Sequence, residues 1–142
     1  MRGAHWASSR VKPDVAIAVD VTYATDYPGT DPASSGDVKL GKGPVICHGS
    51  IINKKLNKLL MDCAKKAILP YQVETAIGRT GTDADKMHFA GEGIVTALLS
   101  LPLRYMHSPS EVCHLDDIQN SIDLLAEFLC TIDADTDLNP FS

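Results

Sequence analysis

Two stretches, Val15-Ala16-Ile17-Ala18-Val19 and Ile94-Val95-Thr96-Ala97-Leu98-Leu99, are apolar at almost every position. Strict alternation would give a sheet one wet face. Continuous apolar character instead predicts strands covered on both faces. We assign strands to residues 14–21 and 94–101, with shorter ones at 45–48, 71–77 and 111–115. Between them the period changes. Leu56, Leu59, Leu60, Cys63, Ala64 and Ala67 recur at helical spacing with lysines opposite, predicting a helix over about 53–68 capped by Ser50 or Asn53 and stopped by Pro70. Thr82 or Asp83 caps a short helix to about Ala90. Asp116, with Gln119 three residues on, caps the last helix, whose expected apolar stripe is Ile118, Ile122, Leu125 and Leu129.

The rest reads as irregular. Residues 1–13 are small and polar and are assigned to loop. Residues 22–44 carry Pro28, Pro32, Pro44 and several glycines, a long loop of the kind that serves function or stays disordered. Alternating strands and helices give an α/β fold, a mostly parallel sheet flanked by helices. We place one domain at 1–132 and an acidic, solvated tail at 133–142.

Length and charge narrow the function. A chain of 142 residues supports one domain with a real core. Its net charge of −5 argues against nucleic acid, which calls for a basic stripe. No apolar run approaches the ~20 residues of a membrane span, and the first residues lack the apolar segment of a signal peptide. Cys47, Cys63, Cys113 and Cys130 are widely spaced, with Cys63 and Cys130 on apolar helix faces, so we expect buried free thiols in a cytoplasmic protein.

Chemistry concentrates where the apolar runs end, because α/β folds place function beyond the carboxyl ends of their strands. The first run ends in Asp20; the second leads to Arg104 and His107 before Ser108-Pro109. Carboxylate and imidazole are ordinary ligands of divalent ions. Each also has a bland reading, a capping or turn aspartate and a hydrogen-bonded histidine. Asp83 is a helix cap or a wall of a substrate pocket; Arg104 either neutralises a substrate carboxylate or forms a surface ion pair. His48, His88 and His114 read as structural or exposed. Asp133, Asp135 and Asp137 imitate an EF-hand start, but Leu138 stands where glycine is needed.

The motifs around these residues resemble those of the glutamyl aminopeptidase family, peptidase family forty-two, which includes the tetrahedral aminopeptidases and proteins labelled cellulase M. Ala18-Val19-Asp20-Val21-Thr22-Tyr23-Ala24-Thr25-Asp26-Tyr27-Pro28-Gly29 is similar to the family's metal-ligand strand. Leu40 to Ile46, Gly81-Thr82-Asp83-Ala84 and Ile94 to Pro109 agree as well, most specifically in Arg104-Tyr105-Met106-His107-Ser108-Pro109. The resemblance implies a zinc-peptidase-like (phosphorylase/hydrolase-like) catalytic domain that removes N-terminal residues from peptide substrates with two divalent ions, zinc or cobalt, in a homo-oligomer. In that family a His, a bridging Asp, a Glu, an Asp and a His hold the ions; the fourth falls on Asp20 and the fifth on His107. Asp83, Arg104 and the Tyr23–Gly29 loop would shape the site.

The family's catalytic Glu-Glu pair precedes a segment like Met1-Arg2-Gly3-Ala4, so the resemblance implies an N-terminally truncated domain without its catalytic glutamate. The isolated chain is therefore expected to be inactive and to self-associate through an unpaired sheet edge. A different class, a silent α/β binding or assembly module, fits the same residues. A glycosidase, as the cellulase label suggests, would need paired carboxylates for which the sequence offers no specific signal.

Overall fold

The computed structural model describes residues 1–141, with side chains throughout except at Ser34 and Ser35. Its elements run α1 (Arg2–Val11), β1 (Val15–Tyr23), α2 (Pro32–Ser35), β2 (Val45–Gly49), α3 (Lys54–Lys66), β3 (Gln72–Ala76), α4 (Ala84–Met87), β4 (Val95–Leu103) and α5 (Leu115–Thr131). Four strands form one sheet in the order β1-β4-β2-β3. β1 pairs parallel with β4, and β2 pairs parallel with β3; the central β2–β4 contact is antiparallel. The sheet is thus mostly parallel, with helices on both faces. Among the described residues no helix is long and apolar enough to cross a membrane.

The two apolar runs that look alike in sequence fare differently. β4 is paired on both sides, and Thr96 through Ser100 are buried without interruption. β1 lies at the sheet edge, with Val19 54% exposed. A continuous apolar run predicted cover on both faces; position in the sheet grants it only to β4. One face of the sheet meets α3 and α5 through Ile46, Ala97, Leu99, Leu56, Leu60 and Phe128. The opposite face carries a smaller cluster of Ala18, Cys47, Ile52, Ala84 and Leu98, with α4 over it.

Helix α3 forms as its stripe predicts. Asn53 caps it by accepting from the N–H groups of Lys55 and Leu56, both at 2.9 Å, and Leu56, Leu60, Cys63 and Ala64 are buried. Ile68, at φ 56°, turns the chain away before Pro70.

Several expectations are corrected. Residues 2–11 are helical, not loop. Only Ser8 of α1 is buried, so the helix has no apolar stripe for periodicity to detect. Residues 111–115 form no strand; a single antiparallel bridge joins Arg104 and Val112. The cap of α5 is His114, whose Nδ1 lies 3.2 Å from the Asp116 N–H, and Gln119 bonds to Asp123 instead of closing a capping box. The buried line of α5 is Asp117, Ser121, Leu124 and Phe128, one residue out of step with the expected stripe. Ile122, Leu129 and Cys130 are exposed.

Asp117 explains that rotation. It is 1% exposed and accepts from the N–H groups of Gly41 (2.8 Å) and Gly43 (2.7 Å), fastening α5 to the loop before β2. Two charge-assisted bonds and a buried carboxylate outweigh the preference of Ile122 for the interior. Gly43 is required there: it sits at φ +89°, and an added Cβ would fall 2.1 Å from the Pro70 carbonyl oxygen. Residues 133–141 are mostly exposed but touch the rest of the fold at two places. Leu138 packs on the main core, its carbonyl accepts from Asn53 Nδ2 at 3.0 Å, and Asp137 pairs with Lys55 at 2.6 Å.

Candidate metal and substrate site

β1 and β4 run side by side in parallel register, Asp20 opposite Ser100 and Tyr23 opposite Leu103, so β1 continues three residues past Asp20 instead of ending there. Asp20 is half-buried, and its Oδ1 accepts from the Val21 N–H at 2.9 Å. The chain leaving β4 makes a tight turn that carries His107. Both Tyr105 (φ 58°) and His107 (φ 65°) are left-handed there, a conformation uncommon for side chains of this size. Such strain persists only where surrounding contacts over-determine it, and it gathers at functional sites.

Those contacts are visible. The His107 N–H donates to Glu111 Oε1 at 2.6 Å. Its ring stands edge-on to Tyr23, with Nδ1 3.3 Å from the phenolic oxygen. Arg104 ties the turn to the β1 loop: Nε donates to Asp26 Oδ1 at 2.8 Å and Nη2 to Oδ2 at 2.7 Å. Asp26 also accepts from the Leu40 N–H at 3.1 Å. The Arg104 guanidinium holds the Asp26 carboxyl below the usual carboxylate range, and Asp26 in turn raises Arg104. Tyr27 and Tyr105 meet at a tilt of 57° with ring centres 4.7 Å apart, closing the same seam.

Arg104, a candidate to neutralise a substrate carboxylate, is therefore already paired in a bidentate fork that fixes the loop over the strand ends. Asp83 is half-buried at the start of α4 and pairs with the Met1 amino group at 3.2 Å. The acid that organises its loop is Asp85, which accepts from the Thr80 N–H (2.8 Å), the Thr80 hydroxyl (2.8 Å) and the Gly81 N–H (3.0 Å). Burial alone would raise Asp85, but those bonds and nearby Arg79 hold it below its ordinary value.

Two residues beside this site escape sequence reasoning. Glu74 sits on β3, half-buried, and burial raises its carboxyl although the Thr22 hydroxyl partly offsets the effect. Ser100 is buried in the middle of β4. Glu74 stands among polar Gln72 and Thr75 in β3, so nothing in the sequence marked it, and nothing marked Ser100. Cys47, buried near Glu74, has its thiol pushed up to about 11 by desolvation and by that carboxylate, so it is no nucleophile. His88 bonds to its own helix and His114 caps α5.

The donor chemistry at the strand ends suits a divalent ion. In the tautomer in which Nδ1–H donates to the Tyr23 oxygen, the His107 Nε2 lone pair is free for a metal, and Asp20 offers a carboxylate. The number of donors does not suffice: among the described residues no three His, Cys, Asp or Glu side chains come close enough to hold an ion. Asp20 and His107 also share no hydrogen bond.

Several known proteins are similar to this chain. The family model for M42 glutamyl aminopeptidase matches residues 1–124. The lysyl aminopeptidase of Pyrococcus furiosus is 44% identical over 131 residues, which is 91% of this chain and 36% of that protein. A TET aminopeptidase from a marine sediment archaeon of the Thaumarchaeota superposes with a TM-score of 0.85 at 32% identity, covering 94% of this chain and 37% of the other. The TET1 peptidase of Pyrococcus horikoshii, which assembles into a tetrahedron or a large octahedral shell, gives 0.68 at 31% identity, with 90% and 36% covered. The chain spans little more than a third of the length of these relatives.

Proposed function

The chain belongs to the M42 glutamyl aminopeptidase family, and from that premise we propose that it supplies part of the active site of a metal-dependent aminopeptidase. Asp20 and His107 are two of the metal donors in this reading. The observation that supports it is that β1, which carries Asp20, runs parallel beside β4, whose following turn carries His107 held by Tyr23 and Glu111. A pair of zinc or cobalt ions, when bound, would activate a water and polarise the peptide carbonyl.

The residues of this chain do the positioning. Tyr23 fixes the His107 ring, and the Arg104–Asp26 fork fixes the loop. Among the described residues no third donor joins Asp20 and His107. We therefore read the chain by itself as inactive toward peptides. The unpaired edge of β1, with Val19 exposed on it, favours association of copies, as in the TET assemblies.

The test is zinc and cobalt titration of the purified chain by calorimetry, together with cleavage of aminoacyl p-nitroanilides. Binding that is lost in both Asp20→Ala and His107→Ala, without cleavage, is the expected result. Binding indifferent to both substitutions would remove the metal reading. Cleavage that stops with a chelator and in Asp20→Ala would overturn the inactivity. A silent assembly module is the second reading, favoured by the lack of a three-donor group among the described residues; no metal binding together with self-association would select it.

A further inference from the structure

We infer that the cleft between β1 and β3 is a subsite for a primary ammonium group on an apolar stem, the chemistry of a lysine side chain, with Glu74 as its counter-ion. This rests on the aminopeptidase reading only for the source of the ligand, the first residue of a peptide. The cleft encloses about 150 Å³ beside the end of β1. Val21, Leu98 and Met106 supply its apolar wall, and Glu74, Thr22 and Ser100 its polar end.

The polar end is unusual in construction. Glu74 and Thr22 stand on opposite edge strands of the sheet, yet the Thr22 hydroxyl donates to Glu74 Oε2 at 2.6 Å. The side chains can meet because the strands between them present small residues, Ser100 and Cys47, to the same cleft. Among the described residues Thr22 is the one hydrogen-bond partner of that carboxylate, and no Lys, Arg or His pairs with it. An ionised acid in a sheltered place calls for a cation or a further donor.

Ser100 gives the second observation. It is 1% exposed, lines the cleft, and its Oγ has no partner. Buried hydroxyls are normally bonded, and an exception invites a missing ligand. An ammonium group has three donors. It satisfies the Glu74 carboxylate and the Ser100 hydroxyl together, while its methylene stem lies along Val21, Leu98 and Met106 as long basic side chains do elsewhere. An apolar side chain fills the stem region but leaves both acceptors unmet; an acidic one is repelled by Glu74.

The experiment is an amide-resonance titration of the full chain, in chelator, with lysine amide, norleucine amide and glutamate amide. These share an α-amine and differ at the side chain. Lysine amide is expected to shift the Thr22 and Ser100 resonances and to bind at least fivefold tighter than the other two. Glu74→Gln, which keeps the shape, should abolish the preference, and Ser100→Ala should reduce it severalfold. Equal binding of the three amides, no shift with any, or a preference that survives Glu74→Gln overturns the inference. The wild-type comparison stands whether or not a variant folds. Zinc titration reads the peptidase site separately: lysine preference without zinc binding rejects that site and keeps the cleft, and zinc binding without preference does the reverse.

Discussion

Asp117 and His107 are both polar residues that hold a loop, and they do so in opposite ways. Asp117 is buried and accepts two backbone N–H groups at 2.8 and 2.7 Å. His107 is exposed, sits at φ 65°, and keeps one ring nitrogen 3.3 Å from Tyr23. The first has its partners supplied by the fold. The second is held in a costly conformation by Glu111 and the Arg104–Asp26 fork, with bonding capacity left over. That difference separates a structural acid from a candidate ligand better than residue type does.

The comparison breaks most severely at the loop that Asp117 anchors. Gly43→Ala and Asp117→Ala should each destabilise the chain by about 3 kcal/mol, since one forces the backbone off Pro70 and the other orphans two buried N–H groups. Urea unfolding measures this, and an unchanged midpoint in Asp117→Ala would mean that the anchor is not what sets the rotation of α5.

Asp26→Asn should cost less, about 1 to 2 kcal/mol, because the fork with Arg104 is only partly buried. The Asp26 carboxyl is depressed in the folded chain, so its contribution is complete above the ordinary carboxylate pKa of about 4 and is lost as pH falls through the lower folded value. Wild type should therefore lose stability below about pH 4 more steeply than Asp26→Asn. Parallel curves would show that the fork contributes nothing.

Thiol labelling gives a sharper contrast at little energetic cost. Cys113 and Cys130 are exposed, while Cys47 and Cys63 are buried, so a thiol reagent should modify two sites at once and the other two only on unfolding. Fast labelling of Cys47 would contradict its raised pKa.

The smallest stability effect falls at the candidate ligand itself. His107→Gly removes a left-handed side chain, so stability should stay level or rise by up to about 1 kcal/mol while zinc binding is lost. A large destabilisation would make His107 a structural residue after all.

Much of this molecule is written in its residue order. The α3 stripe, its Asn53 cap and the strand cores follow from local periodicity, because each reports a burial preference within a few residues. The family's motifs add membership of the M42 glutamyl aminopeptidase family. Tertiary structure decided the rest. α1 buries only Ser8, and no pattern announces a helix that contributes so little to the core. α5 turns on Asp117, whose partners lie in a loop more than seventy residues earlier in the chain. Arg104 could face a substrate carboxylate or an acidic neighbour, and the partner, Asp26 at a sequence separation of 78, is seen only in the fold. Glu74 and Thr22 meet across the whole sheet, at a separation of 52. A sequence records what each residue prefers locally; which distant residue satisfies a buried charge is settled only when the sheet is assembled, since the desolvated carboxylate must be met wherever the packing leaves it.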